Sequence, residues 1–343
     1  MSHKVALSFA DGKTLFVSAT EQENLLLAAL RHGIKLPSDC GEGVCGTCKG
    51  TCEAGKYSIE YADEDALSEQ ERAQRGILAC QTMVKSDASF YFDFDFSLCN
   101  AEQTPAGQAV VTQVKLISAT TAVLYLQAQP GTPPLNFLPG QYARLRIPGT
   151  DTCRSYSFAH APNSVGQMQF LIRLLPQGAM SEYIRERAKA DDIIEFEAPL
   201  GTFYLREVHR PLYLMAGGTG LSAFLGMLDE MAAQGYCAHP VTLFYGVNDS
   251  TDLCEMERLN SYKTSIPGFD FHPVVVNGTP EWTGKQGFIT QHLAQEEFLA
   301  NPFDMYVCGP PPMVEAIKTW FADAGIDNFT MYFEKFVDSN LGK

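Results

Sequence analysis

The sequence predicts a multidomain α+β and α/β protein with three parts in chain order: a small α+β unit, an antiparallel β-barrel and a parallel α/β domain. Three observations carry this. Near the N-terminus two alternating segments flank a turn, followed by a helical segment and a long glycine-rich loop. From about residue 109 short alternating segments recur with turn signals between them, the pattern of an antiparallel barrel. From about 210 continuous apolar strands alternate with helical segments, the pattern of a parallel α/β sheet. A chain of 343 residues has room for two or three domains of roughly 100–200 residues each.

Taken in order, "KVALSFA" and "KTLFVS" alternate on either side of Asp11-Gly12, which predicts a hairpin with a type I′ turn. Thr20-x-x-Glu23 reads as a capping box that opens the helix "ENLLLAALRHG", and Gly33 ends it. The cysteine-rich loop comes next. It is followed by an acidic stretch, "EYADEDALSEQER", on a solvated face, and by "SFYFDFDFSL", a strand. The small polar residues 100–108 form a linker. The barrel strands are "AVVTQVKLIS", "AVLYLQAQ", "QYARLRI", "SYSFA", "MQFLIRLL" and "IIEFEA", with "AMSEYIRERA" as a helical insert. In the last part the strands "PLYLMA", "VTLFYGV", "FHPVVV" and "MYVCG" alternate with helices "LSAFLGMLDEMAAQ", "EMERLNSY", "ITQHLAQ" and "PMVEAIKTWFADAG". The domain boundaries that follow are 1–99, 109–208 and 209–343.

Hydrophobic content of 45% and charged content of 19% suit a globular protein with substantial cores. A net charge of −15 argues against nucleic acid, because neutralising phosphates requires a basic surface. Residues 211–228 are uncharged over 18 positions, but the internal "GGTG" makes them a strand, a turn and a buried helix and not a membrane span. With no secretory h-region at "MSHKVALSF", the expectation is a cytoplasmic protein. There structural disulfides are disfavoured, and the ten cysteines need another role.

"DCGEGVCGTCKGTC" supplies that role. The spacing Cys40-x4-Cys45-x2-Cys48, with Cys80 after 31 further residues, is the pattern that holds a [2Fe–2S] cluster. A zinc site would need a second knuckle or a nearby His pair, and a thioredoxin-type CxxC an adjacent βαβ unit; neither is present. Gly41, Gly43 and Gly46 let backbone N–H groups turn toward sulfur. Cys52 is read as a structural or exposed thiol and not a ligand. On these residues the first 97 positions resemble plant-type ferredoxins, which implies a β-grasp fold with Cys40, Cys45, Cys48 and Cys80 as metal ligands.

Arg154-x-Tyr156-Ser157 resembles the FAD signature of the ferredoxin–NADP reductase superfamily, with Ser155 inside it. The resemblance implies Arg154 on the pyrophosphate, Tyr156 against the isoalloxazine and Ser157 at flavin N5. "FLIRLLPQGAMS" resembles the second phosphate segment of that family and contributes Arg173, Gly178 and Ser181. "LMAGGTGLSAF" lacks the standard GxGxxG spacing. It resembles instead the superfamily's nicotinamide loop, which implies that Gly217, Gly218, Thr219, Gly220 and Ser222 hold the dinucleotide. In "YVCGPPPM", Cys308, Gly309 and Pro310 resemble the segment beside the nicotinamide. The C-terminal "YFEKFVDSN" places Phe336 over the flavin face and Glu334 near its edge by the same resemblance. Ser157, Thr219, Cys308 and Glu334 make up the implied catalytic set. Between Tyr245 and Cys254 there is no basic residue to take a 2′-phosphate, and Asp249 and Asp252 stand there instead, so NADH is the expected coenzyme.

The order ferredoxin, flavin barrel, dinucleotide domain resembles the reductase components of two-component aromatic-ring-hydroxylating dioxygenases of the benzoate/anthranilate/toluate type. This implies an NADH-dependent iron–sulfur flavoprotein that passes electrons from NADH through FAD and the [2Fe–2S] cluster to a Rieske dioxygenase. Reductases of diiron monooxygenases (methane, phenol or alkene type) and a deoxysugar-pathway reductase share the order and form the alternative. The acidic face Glu60–Glu71 is a candidate docking surface for the terminal oxygenase.

Overall fold

The computed structural model describes residues 2–39, 41–64, 66–99, 106–132, 134–235 and 238–336. The chain divides into two compact units, Met1–Thr104 with Leu200–Thr202, and Pro105–Pro199 with Phe203–Lys343.

In the first unit β1 (Ser2–Phe9) and β2 (Thr14–Thr20) form the expected hairpin. Its turn is not type I′. Gly12 alone has positive φ, 78°, and the bonds Gly12 N–Phe9 O and Phe9 N–Lys13 O (both 2.9 Å) define a longer loop. Asp11 avoids the left-handed region because its carboxylate is engaged with Lys13 N and Phe96 N. Helix α1 (Leu25–Arg31) is capped by Asn24 and not by Thr20, since Asn24 Oδ1 accepts from Leu27 N at 2.9 Å. Glu23 still bonds Thr20 N, but its carboxylate also pairs with Arg31 at 2.7 Å.

The expected glycine loop is followed by elements that periodicity did not reveal. These are β3 (Lys49–Ala54), β4 (Tyr57–Ile59), α2 (Glu69–Ala73), β5 (Gly76–Leu78) and β6 (Thr82–Val84). They are too short to show a period. Strand β7 (Ala88–Phe92) covers only the first half of "SFYFDFDFSL", and Phe96–Cys99 is a 3₁₀ turn. The sheet order is β2-β1-β7-β3-β5, with β1 and β7 parallel, and β4 pairs separately with β6. Val5, Leu7, Phe9, Val17, Phe90 and Phe92 fill its buried face.

The second unit holds two sheets. All six barrel strands form where alternation placed them: β8 (Ala106–Ser118), β9 (Thr121–Ala128), β10 (Tyr142–Arg146), β11 (Cys153–Ser157), β12 (Gln167–Arg173) and β13 (Ile193–Leu200). Residues 100–105 of the expected linker lie outside the described residues, and 106–108 are not linker but the start of β8, where Gly107 and Gln108 pair with β13. The sheet order is β11-β10-β13-β8-β9-β12, and a Phe158–Phe170 bridge brings its two ends together. The helical insert is α3 (Ala179–Glu182) continuing into a π-helical turn, Tyr183–Arg187.

The dinucleotide-type sheet contains β14 (Leu212–Gly217), β15 (Val241–Asp249), β16 (Phe269–Asn277), β17 (Lys285–Gln286), β18 (Phe303–Gly309) and β19 (Phe329–Lys335). All its pairs are parallel, in the order β17-β16-β15-β14-β18-β19. Helices α4 (Leu221–Gln234) and α5 (Met256–Ser265) cover one face. The other is covered by α6 (Gln295–Leu299) and α7 (Pro311–Asp323). The helix expected at "ITQHLAQ" is instead a 3₁₀ turn, Ile289–His292, before α6. Strand residues alternate between the faces: Leu214, Ala216, Tyr306 and Cys308 toward α4, Met215 and Val307 toward α7. The chain runs outward from β14 to β17 and returns to β18 on β14's other side. That switch leaves a crevice at the carboxyl ends of β14 and β18, where α/β sheets bind ligands.

Candidate functional site

In the first unit the cysteine loop is rigidly held. Gly41, Gly43 and Gly46 have φ of 72°, 79° and 74°, values that L side chains resist. Gly43 O accepts from Asp63 N at 3.0 Å, and Gln81 Nε2 donates to Gly41 O at 3.1 Å. The helix cap takes part too: Asn24 Nδ2 donates to Cys80 O at 2.8 Å. Cys48 and Cys80 are buried and hydrogen-bond one another, which holds the Cys48 thiol well above its ordinary value, while Cys45 is half-buried. Cys40 lies outside the described residues, and among those described no group of three or more metal-ligating side chains is gathered around one point. Cys52 is engaged elsewhere: its Sγ bonds Ala54 O at 3.2 Å and accepts from Arg75 at 3.1 Å. Two buried thiols in contact, beside a loop of positive-φ glycines, fit a thiolate-held cluster.

In the second unit the predicted flavin strand is β11. Arg154 and Tyr156 are half-buried, Ser155 is exposed and Ser157 is 3% exposed. Tyr156 packs against the barrel core, and burial pushes its phenol up, so it stays neutral. Gly178 caps α3, and Ser181 Oγ accepts from Leu175 N at 2.8 Å, holding the turn that precedes the helix. Arg185, which the sequence reading missed, clamps the same turn by donating to Leu174 O (3.1 Å) and Leu175 O (2.9 Å).

Arg173 is paired with Asp252 at 3.2 Å, and Thr120 donates to the same carboxylate. Asp252 is only 5% exposed. Of the two carboxylates that stand where a 2′-phosphate partner would be expected, Asp252 is thus paired with Arg173 inside the protein. Asp249, exposed at the carboxyl end of β15, remains open to solvent.

The dinucleotide turn sits at the crevice. At Gly220 an added Cβ would lie 2.3 Å from Cys308 O, so glycine is required for the turn to pass β18. Cys308 is fully buried and lies opposite Ala216 on β14 and Glu334 on β19. Burial and the adjacent Glu334 hold its thiol well above the usual range. Ser157 Oγ lies 3.4 Å from Glu334 Oε2, and Ser222 Oγ donates to Ser157 O at 2.7 Å. Glu334 is half-buried, and desolvation pushes its carboxyl up to about 8. Phe336 N donates to Gly309 O at 2.9 Å, which ties the aromatic to the same edge. Five expected site residues, Ser157, Ser222, Cys308, Glu334 and Phe336, thus gather at one crevice, although they come from four separate segments. Thr219 lies in the turn beside them. The Ser157 hydroxyl, the Tyr156 ring and the glycine turn fit a flavin and a nicotinamide stacked at this edge.

Fold and site together define an iron–sulfur flavoprotein oxidoreductase. Residues 8–85 match a 2Fe-2S iron-sulfur cluster binding domain, 108–204 an oxidoreductase FAD-binding domain and 214–319 an oxidoreductase NAD-binding domain. The anthranilate 1,2-dioxygenase electron transfer component of Acinetobacter baylyi is 57% identical over 343 residues, 100% of both chains. The toluate 1,2-dioxygenase electron transfer component of Pseudomonas putida is 42% identical, covering 99% of this chain and 100% of that protein. Among solved structures, the Amycolatopsis cytochrome P450 reductase GcoB superposes with a TM-score of 0.68 at 30% identity, over 97% of this chain and 99% of that one. The chain belongs to the family of electron transfer components of aromatic-ring dioxygenases. Its domains make up an NADH–FAD–[2Fe–2S] electron-transfer chain. No helix among the described residues is long and apolar enough to cross a membrane.

Proposed function

We propose that this chain accepts hydride from NADH at the crevice between β14 and β18 and delivers single electrons to a Rieske aromatic-ring dioxygenase in the cytoplasm. The observation that carries it is the convergence of Ser157, Cys308 and Glu334 beside the glycine turn 217–220. When bound, FAD exchanges two electrons with nicotinamide and one at a time with the [2Fe–2S] cluster. The chain's own residues bind and orient. Arg154 neutralises the flavin pyrophosphate, Tyr156 supports the ring, and the turn amides receive the dinucleotide phosphates. Ser157 and the protonated Glu334 place a polar, uncharged edge where negative charge would repel the reduced ring. Cys40, Cys45, Cys48 and Cys80 are the proposed cluster ligands, and 1–99, 109–208 and 209–343 the proposed domains.

Asp249 supports NADH over NADPH, because a carboxylate there repels a 2′-phosphate and accepts from a 2′-hydroxyl. Plant-type clusters sit near roughly −400 mV and Rieske centres at roughly −150 to +300 mV, so transfer to such a client is downhill. The identity of 57% with an anthranilate dioxygenase component supports that client class.

Anaerobic titration with NADH, followed by visible absorbance, EPR and iron analysis, tests the reading. Bleaching of the flavin with growth of a reduced [2Fe–2S] signal is expected. Flavin bleaching without that signal, in protein that still contains iron, would exclude the first unit as electron acceptor.

A further inference from the structure

Helix α4 carries Ser222, Gly226 and Asp229 at i, i+4 and i+7, a spacing that sets them in one stripe. All three meet the backbone of the segment that leaves β11. Ser222 Oγ donates to Ser157 O at 2.7 Å. At Gly226 the approach is so close that an added Cβ would lie 2.9 Å from His160 O and 3.2 Å from Phe158 O. Asp229 Oδ2 accepts from Ala161 N at 3.3 Å. Helix α5 closes the far end. Arg258 donates to Ala159 O at 2.9 Å and to Asp229 Oδ2 at 2.6 Å, and Tyr262 donates to Asp229 Oδ1 at 2.6 Å. The Arg258 and Asp229 side chains are 21% and 28% exposed, so solvent competes weakly for these bonds.

The stripe therefore grips residues 157–161 along their length. Ser157 ends the strand that carries Arg154 and Tyr156, and α4 begins where the 217–220 turn ends. A stiff helix thus joins the flavin strand to the dinucleotide turn. We propose that Gly226, Asp229 and Arg258 are positioning residues that set the distance between nicotinamide and flavin for hydride transfer. They touch neither cofactor and act through Ser157 and the turn. The inference rests on reading this crevice as the NADH–flavin site.

Gly226→Ala forces the helix and the 158–160 backbone apart by a few tenths of an ångström. Asp229→Asn weakens the hold on Ala161 and Arg258. In stopped-flow mixing with saturating NADH, the limiting rate of flavin bleaching is expected to fall about tenfold or more, because transfer depends steeply on geometry. Bound FAD should stay stoichiometric, and the half-saturating NADH concentration should stay within about threefold of wild type, as expected when orientation and not binding is lost. In flavin-free protein, hydrogen–deuterium exchange of the segment 157–162 should quicken in Asp229→Asn while β14 is unchanged. Arg258→Lys, which keeps a cation beside Asp229, should be less impaired than Arg258→Met. Wild-type limiting rates in Gly226→Ala and Asp229→Asn would overturn the proposal. So would a parallel fall of rate, FAD content and NADH affinity, which marks a merely structural contact. If wild type itself is not bleached by NADH, the proposed function fails. If wild type bleaches and the variants keep its rate, only the positioning role fails.

Discussion

Glu334 offers the sharpest test of the crevice, because its proton is a consequence of where the strand places it. The carboxyl faces Ser157 Oγ at 3.4 Å and the buried Cys308, with no ion pair to a cation among the described residues, and desolvation raises it from 4.5 to about 8. At pH 7 most of the folded protein therefore carries neutral Glu334. The folded state holds this proton more tightly than the unfolded chain does. Its stabilising effect is complete below about pH 4.5 and is lost as pH rises through about 8. The full shift corresponds to up to about 5 kcal/mol, and partial exposure of the side chain reduces this to roughly 2–3 kcal/mol. For a unit of this size that is about 5–10 °C in Tm. Glu334→Gln keeps the neutral shape and cannot ionise. Thermal melts at pH 6 and pH 9 should show wild type losing about 3–6 °C more than the variant, because the part of the effect between pH 4.5 and 6 is already gone at the lower pH. The limiting rate of flavin reduction should also fall above about pH 8 in wild type and stay flat in Glu334→Gln. Parallel pH profiles for the two proteins, in melts and in rates, would refute the claim that this carboxyl is neutral in the folded crevice.

Other consequences are equally open to measurement. Gly220→Ala puts a methyl 2.3 Å from Cys308 O and must part the turn from β18 by about 0.7 Å; flavin reduction by NADH is expected to drop about a hundredfold in stopped-flow assays. Cys80→Ser should lose iron and cluster-dependent cytochrome c reduction while NADH still bleaches the flavin, and equal loss of both would make the cluster structural. Asp249→Arg supplies a partner for a 2′-phosphate, and kcat/KM for NADPH is expected to rise about tenfold to a hundredfold in steady-state assays. Neutralising Glu60, Glu64 and Glu69 should slow oxygenase-coupled turnover and leave NADH reduction of a small acceptor unchanged; unaltered coupled turnover would remove that face as the docking surface.

What the sequence determined by itself was whatever short-range chemistry encodes. The spacing of Cys40, Cys45, Cys48 and Cys80 led to the expectation of a cluster, while Arg154-x-Tyr156-Ser157 and Gly217–Gly220 resemble a flavin strand and a dinucleotide turn. Alternation placed all six barrel strands, and continuous apolar runs placed the core of the parallel sheet, because side-chain periodicity follows directly from backbone geometry. It missed β3 to β6, which are too short to show a period, and misjudged the first cap, where Asn24 wins because its side chain reaches both Leu27 N and Cys80 O.

Tertiary structure alone decided how distant charges and backbones meet. Ser157 and Glu334 are 177 residues apart and share one crevice. Arg173, expected beside the flavin phosphates, also pairs with Asp252 from the last sheet, and that carboxylate, buried to 5% exposure, thereby has a cation in contact. Ser222, Gly226 and Asp229 form an ordinary helical stripe in the sequence, and only the fold shows that the stripe rests on the flavin strand. Periodicity says which face of an element is buried. What that face meets depends on the packing of elements far apart in the chain.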